Sequence, residues 1–251
     1  MWDLGLSQKA ILVTGGSSGI GKAIATQVAE EGGRVCIVAR DKAKLHATLS
    51  SLPGTDHVGI SWDLTETDTL EKLAEQVGAK LGRLDGVVHA AGKYQADPLR
   101  ATRISEVQEV FALNVFAPLM LTKALVHKSR RGSPMSVVFL GSVSSHIGQA
   151  GASSYSASKG AVDALGASLV AELGREGIRF NTVVAGLVDT ELSGKMRKRL
   201  GEAAWNNLIN QHPLGLGSAE DVANVAVFLL SQKSQWVTGT QLVIDGGYLS
   251  C

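Results

Sequence analysis

Short apolar, β-branched runs recur along the chain at 10–13, 34–39, 58–62, 86–90, 136–140, 179–185 and 241–244. They do not alternate apolar with polar positions, so both faces of each strand are read as buried. Between them lie longer segments, at 21–31, 67–81, 106–127 and 156–176, whose apolar residues return at helical spacing. Strands buried on both faces and alternating with helices predict a mostly parallel sheet with helices on either side. Seven strands and their crossovers account for most of the 251 residues. No composition break, proline-rich linker or repeat divides them, so the pattern predicts one domain over 1–251. Only 189–213 breaks the rhythm. It is polar and basic (Lys195, Arg197, Lys198, Arg199), yet carries Met196, Leu200 and Trp205. It reads as one or two short helices, either a solvated insertion or a lid over a site.

Composition narrows the classes. Lysine plus arginine exceed aspartate plus glutamate by 24 − 23, a net charge of +1, which argues against a generally basic nucleic-acid binder. The two cysteines, Cys36 and Cys251, exclude a disulfide scaffold. The start has no basic stretch leading into a long apolar one, and no run approaches ~18 consecutive apolar residues. The expectation is a cytoplasmic protein with no membrane partner. Glycine is the outlier: 29 of 251 residues, about 12% against a usual ~7%. With only five prolines and no short period, collagen-like and disordered readings fail.

The first strand runs into Thr14-Gly15-Gly16-Ser17-Ser18-Gly19-Ile20-Gly21, and a helical pattern follows at once. A glycine turn between strand and helix lets backbone approach a pyrophosphate, and the helix N-terminus offers free N–H groups and partial positive charge. In sites selective for NAD an acidic residue about 20 positions on binds the ribose 2′-hydroxyl; an arginine accommodates a 2′-phosphate instead. Here the second strand ends Val38-Ala39-Arg40-Asp41, with alanine where that acid is expected. A guanidinium meets phosphate with paired hydrogen bonds, so NADP(H) is preferred over NAD(H). Asp41 opposes this: it could pair with Arg40 or take a 2′-hydroxyl itself.

Further on stands Tyr155-Ser156-Ala157-Ser158-Lys159. Residues i and i+4 share a helix face, and an ammonium beside a phenol would lower its pKa from ~10. Such a tyrosine can exchange a proton with an alcohol or carbonyl. Ser142, thirteen residues upstream, follows a buried strand at the edge where open parallel sheets bind ligands.

Together these motifs resemble the short-chain dehydrogenase/reductases, and the resemblance runs nearly the whole chain. The family's Thr-Gly-x-x-x-Gly-x-Gly stands at Thr14 to Gly21, and its Asp-Leu pair, which holds the adenine, at Asp63-Leu64. Its Asn-Asn-Ala-Gly reads His89-Ala90-Ala91-Gly92, and its helix asparagine is Asn114. Its active serine, tyrosine and lysine are Ser142, Tyr155 and Lys159. Its C-terminal motif runs from Val237-Thr238-Gly239 to Ile244-Asp245-Gly246-Gly247. The resemblance implies a three-layer αβα Rossmann fold with a doubly wound, seven-stranded parallel sheet. It implies a catalytic set of Asn114, Ser142, Tyr155 and Lys159. The implied cofactor-binding set is Thr14, Gly15, Ser17, Ser18, Gly19, Ile20, Gly21, Arg40, Asp63, Leu64, Ala90, Gly92, Tyr155, Lys159, Val188 and Thr190.

The chemistry so implied is hydride transfer between NADPH and a carbonyl. Tyr155 moves the proton, Ser142 holds the oxygen, Lys159 lowers the pKa of Tyr155 and bonds the nicotinamide ribose, and Asn114 anchors a water. A helix-bending role for Asn114, and helix-capping roles for Asp63 and Thr190, compete with these. Two departures stand out: Ala90 replaces an asparagine, and Ala185-Gly186 replaces Pro-Gly, leaving the turn beside the nicotinamide freer. A 3-oxoacyl-carrier-protein reductase type is the leading expectation; a polyol, sugar-linked or hydroxysteroid dehydrogenase, or a silent NADP-binding sensor, are the alternatives. Expected partners are a small-molecule substrate, free or carrier-linked, and further copies of the chain in a homotetramer or homodimer. His89 and His146 lack companions at metal-ligand spacing, so no metal site is read. The basic turn at Lys128, Arg130 and Arg131 reads as a solvated loop or a docking point for an anionic carrier.

Overall fold

A computed structural model describes residues 3–251. Met1 and Trp2, the first two residues of the segment read for a targeting signal, lie outside that range. The strands are β1 (Ala10–Thr14), β2 (Arg34–Ala39), β3 (Val58–Ser61), β4 (Leu84–His89), β5 (Arg131–Ser142), β6 (Ile178–Ala185) and β7 (Gln241–Ile244). They form a single sheet in the order β3-β2-β1-β4-β5-β6-β7, every neighbouring pair parallel. Strand order reverses direction between β1 and β4, and the loops at the carboxyl ends diverge there.

The side chains of each strand divide between two cores. Ile11 and Val13 point into one, and Ala10 and Leu12 into the other. The first core is closed by α1 (Gly19–Glu30) and α9 (Ala219–Leu230), with α2 (Lys42–Ser51) beside them. The second is closed by α3 (Leu70–Leu81), α5 (Ala117–Leu125) and α6 (Ser153–Leu173). The sheet is therefore the middle of three layers, as expected.

Helix starts follow local chemistry. Asp41 accepts the N–H groups of Ala43 and Lys44 at 2.9 and 3.0 Å and so opens α2. Ser218 and Asp221 cap α9 reciprocally. Both helices fall outside the periodic segments named from the sequence. α2 buries only Leu45 and Thr48, and α9 is too uniformly apolar to show a stripe.

The 106–127 segment is interrupted. It comprises α4 (Ile104–Phe111), one wide π-type turn (Ala112–Phe116) and α5. By length and mean hydropathy, though not as an unbroken apolar run, the stretch Ile104–Leu125 is long and apolar enough to cross a membrane. Val110, Leu121 and Leu125 in it are buried, whereas Ile104, Phe116 and Leu119 are exposed. The 189–213 segment folds as α7 (Glu191–Leu200) and α8 (Glu202–Asn210), with Trp205 buried.

Candidate active site

The loops at the carboxyl edge of the sheet enclose a cavity of about 910 Å³. At its middle, β1 turns into α1 through glycines that tolerate no side chain. Gly15 has φ +67°, and a Cβ there would stand 2.8 Å from the Ala91 backbone. A Cβ on Gly21 would stand 2.5 Å from the Gly15 carbonyl oxygen. Ser18 makes no side-chain cap, so the first N–H groups of α1, at Gly19, Ile20 and Gly21, stay open to the cavity. Oriented donors at a helix N-terminus fit an anionic phosphate. Thr14 lies behind this turn rather than on it; its buried hydroxyl accepts the Ala91 N–H at 3.3 Å and ties β1 to β4.

One end of the cavity reaches Arg40, which is exposed, and Lys44. The Oδ1 of Asp41, which also lines the cavity, is taken up by its helix cap. Leu64 lines the wall. Asp63 sits just outside it, accepting both the N–H and the hydroxyl of Thr65, bonds that hold its carboxyl below the usual range. The capping role for Thr190 is also realised: it caps α7 while touching the cavity, and its Cγ2 would lie 3.3 Å from a Cβ on Gly19. Ala90, Gly92 and Val188 complete this wall.

Ser142, Tyr155 and Lys159 meet at the other end. β5 delivers Ser142, and the first two turns of α6 present Tyr155 and Lys159 on one face. The Lys159 ammonium lies 5.7 Å from the Tyr155 ring centroid and donates to the Leu140 carbonyl at 2.7 Å. The expected lowering of the phenol pKa is not found. Burial pushes Tyr155 up to about 12, and its hydrogen bond with Ser142 opposes this only in part. Burial likewise brings Lys159 down to about 8, with Asp163 pulling the other way. Dehydration outweighs the ammonium at this distance.

Asn114 lies in the π-type turn and is not on the cavity wall. Its oxygen accepts the Lys93 N–H at 2.8 Å, and its amide donates to Lys93 O and Ser158 Oγ, both at 3.0 Å. Gly92 separates it from Lys159.

Further residues build the site, with Ser144, Gln149, Leu208 and His212 coming from the 144–153 and 189–213 stretches expected to wall it. Tyr94 packs edge-on against Tyr155, with ring centroids 4.9 Å apart. Ser144 links Ser142 to Gln149 through bonds of 3.2 and 3.0 Å. Leu208, His212 and Tyr248 also line the cavity. Tyr94 and Tyr248 escaped sequence reasoning, and only their proximity to the motifs at 92 and 246–247 could have flagged them.

Two readings are now resolved. His89 is structural: it stacks on Phe139, bonds Thr122 at 2.9 Å, and burial drives its pKa to about 3. The basic turn lies away from the cavity, with Lys128 exposed to solvent and only its two arginines tied to the fold. Arg131 is buried and bonds Glu176 at 2.7 Å, Arg130 pairs with Glu71 and Glu75, and both lie at the amino end of β5, opposite Ser142.

A glycine-lined phosphate cradle and a buried phenol on one continuous cavity, outside the carboxyl ends of a doubly wound sheet, define a dinucleotide-dependent oxidoreductase. Comparison with known proteins agrees. A family model described as Enoyl-(Acyl carrier protein) reductase matches residues 15–249. The 3-oxoacyl-[acyl-carrier-protein] reductase of Bos taurus is 35% identical over 95% of this chain and 97% of its own length. The (3R)-3-hydroxyacyl-CoA dehydrogenase of Canis lupus familiaris is 32% identical over 97% of each chain. The 3-oxoacyl-[acyl-carrier-protein] reductase of Escherichia coli (strain K12) is 29% identical over 95% of this chain and 96% of its own. The chain belongs to the short-chain dehydrogenase/reductases, enzymes that act on alcohol and carbonyl groups of small molecules with a nicotinamide cofactor.

Proposed function

We propose that this enzyme interconverts a ketone and a secondary alcohol with NADP(H), and that its substrate is a 3-oxoacyl thioester, free or carrier-linked. One observation carries the reading: Ser142, Tyr155 and Lys159 share a cavity with the α1 N-terminus and Arg40. Bound along it, the dinucleotide supplies or accepts the hydride. The Ser142 hydroxyl holds the substrate oxygen. Tyr155, kept protonated at neutral pH by burial, donates the proton during reduction. Lys159, near 8, is suited to exchanging protons near neutrality and to holding the nicotinamide ribose. Asn114 fixes the Lys93 backbone and Ser158, the residue before Lys159, and so supports the lysine.

The rest of the cofactor set follows the wall. Gly15, Ser17, Ser18, Gly19, Ile20 and Gly21 hold the pyrophosphate, with Thr14 bracing the turn. Asp63 and Leu64 hold the adenine. Ala90 and Gly92 border the ribose, and Val188 and Thr190 the carboxamide. NADP(H) is favoured because Arg40 is exposed at the end of β2 and the Oδ1 of Asp41 is engaged in the α2 cap. The names of the relatives favour the thioester. Tyr94, Ile147, Gln149, Leu192 and Met196 form the substrate walls, and α7–α8 act as the lid. A carrier would approach beside Lys195 at the lid, because Arg130 and Arg131 face the opposite edge.

Turnover with NADPH and NADH on acetoacetyl and crotonyl thioesters, a sugar ketone and a ketosteroid tests the reading. Fast NADPH-dependent reduction of acetoacetyl thioester supports it. A preference for NADH, or for the enoyl or steroid substrate, overturns the corresponding part. We further propose a cytoplasmic homotetramer or homodimer. Phe116 and Leu119 in the 104–125 stretch and Val243 on β7 are exposed, and burying them favours association. Sedimentation as a stable monomer would refute it.

A further inference from the structure

The turn after β6 carries Ala185-Gly186 where the resemblance leads one to expect Pro-Gly, so its backbone has no built-in restraint. Three of its N–H groups are nevertheless held, and the Gly217 N–H donates to Leu187 O at 3.0 Å. Gly186 donates to Ile244 O at 2.9 Å, and Asp189 to Gly217 O at 2.8 Å. Between them, the Leu187 N–H donates to a side chain, Nε2 of His212, at 3.2 Å. The other ring nitrogen, Nδ1, lies 2.8 Å from Leu208 O, near the end of α8. A carbonyl only accepts, so Nδ1 carries the proton and Nε2 is the acceptor: a single neutral tautomer satisfies both bonds.

The imidazole is 4% exposed and stacks on Tyr248, with centroids 4.3 Å apart and planes 5° from parallel. The backbone on either side is fixed as well: Gly215 N–H donates to His212 O at 2.8 Å and Leu214 N–H to Gly246 O at 3.0 Å. One ring thus joins three pieces of chain that all border the cavity: the 186–188 turn, the exit of α8, and the C-terminal turn.

We infer that His212 is a positioning residue for the nicotinamide end of the site, holding by a side-chain hydrogen bond the turn that a proline would otherwise stiffen. This rests on the proposed dinucleotide reading, since Val188 borders the carboxamide only if the cofactor lies as proposed. A merely structural histidine would serve as well through its stack and its bond to Leu208. The inference requires the Leu187 bond in particular.

Two substitutions separate these cases. His212→Gln can place its Oε1 where Nε2 was and keep the Leu187 bond. His212→Asn can place its amide where Nδ1 was, keeping the Leu208 bond and leaving Leu187 without a partner. Two readouts apply: the dissociation constant for NADPH by titration of protein fluorescence, and amide hydrogen exchange of the 186–189 segment in the cofactor-free protein. We expect His212→Asn to weaken NADPH binding about fivefold, the scale of one lost neutral hydrogen bond, and to speed exchange at Leu187. His212→Gln should stay within about twofold of the parent in both. Equal behaviour of the two variants, whether parent-like or equally impaired, overturns the inference. So does an unaltered exchange rate at Leu187 in His212→Asn. A parent protein that binds no dinucleotide would overturn the proposed function instead, while exchange at Leu187 would still decide whether the ring holds the turn.

Discussion

The two ends of β5 put polar groups in similar surroundings and treat them differently. At the amino end, buried Arg131 donates to Glu176 and to the carbonyls of Val126, Gly132 and Glu176, and neighbouring Arg130 has two carboxylates and the Ala124 carbonyl. At the carboxyl end, roughly 36 Å away for a twelve-residue strand, the Lys159 ammonium has one carbonyl. Asp163, one turn further along α6, leaves Oδ1 without a partner, as does the Ser156 hydroxyl. The first end is saturated and serves the fold. The second is left under-bonded, so its groups hold perturbed pKa values and spare capacity for a ligand.

Mutation should break this contrast differently at each end. Tyr155→Phe removes the proposed proton donor. Turnover should fall by about 10²–10⁴-fold while NADPH still binds, and steady-state kinetics alongside binding titration checks both. Unchanged turnover would sink the proposed mechanism. Arg131→Met leaves three part-buried carbonyls and the Glu176 carboxylate without their donor and should cost about 1–2 kcal/mol of stability in urea unfolding, with kcat little altered. Arg40→Ala should raise the KM for NADPH about tenfold, as for one lost charge-assisted pair, and leave that for NADH nearly unchanged.

Lys159→Met sets the two ends most directly against each other. It should abolish activity yet stabilise the fold by about 1 kcal/mol near neutral pH, because it removes an under-bonded buried ammonium. The lysine pKa is about 8 folded and 10.5 as the ordinary value. The unfolded chain therefore binds more protons between those values, and wild-type stability rises with pH across that window. The advantage of the variant should be full below pH 8 and fade towards 10.5. Denaturant titrations at several pH values read this.

Much of the sheet was legible in the sequence. The bounds of β2 and β7 are those that the apolar runs predict; β2 is buried on both faces and leaves an uninterrupted run, whereas β7 is a half-exposed edge strand marked by its β-branched residues. β5 was not fully legible. Gly132-Ser133-Pro134 reads as a loop, yet Arg131 pairs with Leu84 after a shift in register. Such pairing depends on the neighbouring strand and not on the local residues. The cavity likewise gathers most of the residues named for it, because phosphate turns and i,i+4 pairs are local geometry. The pKa of Tyr155 runs opposite to the sequence expectation, because dehydration is a property of the assembled site. His212 falls in the segment read as a lid, but its bond to the turn after β6 was not legible, because the partner is a backbone N–H 25 residues away.

The order in which strands join the sheet has a consequence for a chain still being made. Synthesis proceeds from the N-terminus, and domains fold as their residues emerge. The first hundred residues carry β1 to β4, the glycine turn and Arg40, everything at the phosphate end. Ser142 and Tyr155 come later, and the last eleven residues bring β7 and the turn against which Gly186 and His212 are held. Without β7 the Gly186 N–H loses its carbonyl partner, and without Tyr248 the His212 ring loses its stack, so the turn beside Ser142 and Tyr155 rests on residues far along the chain from both.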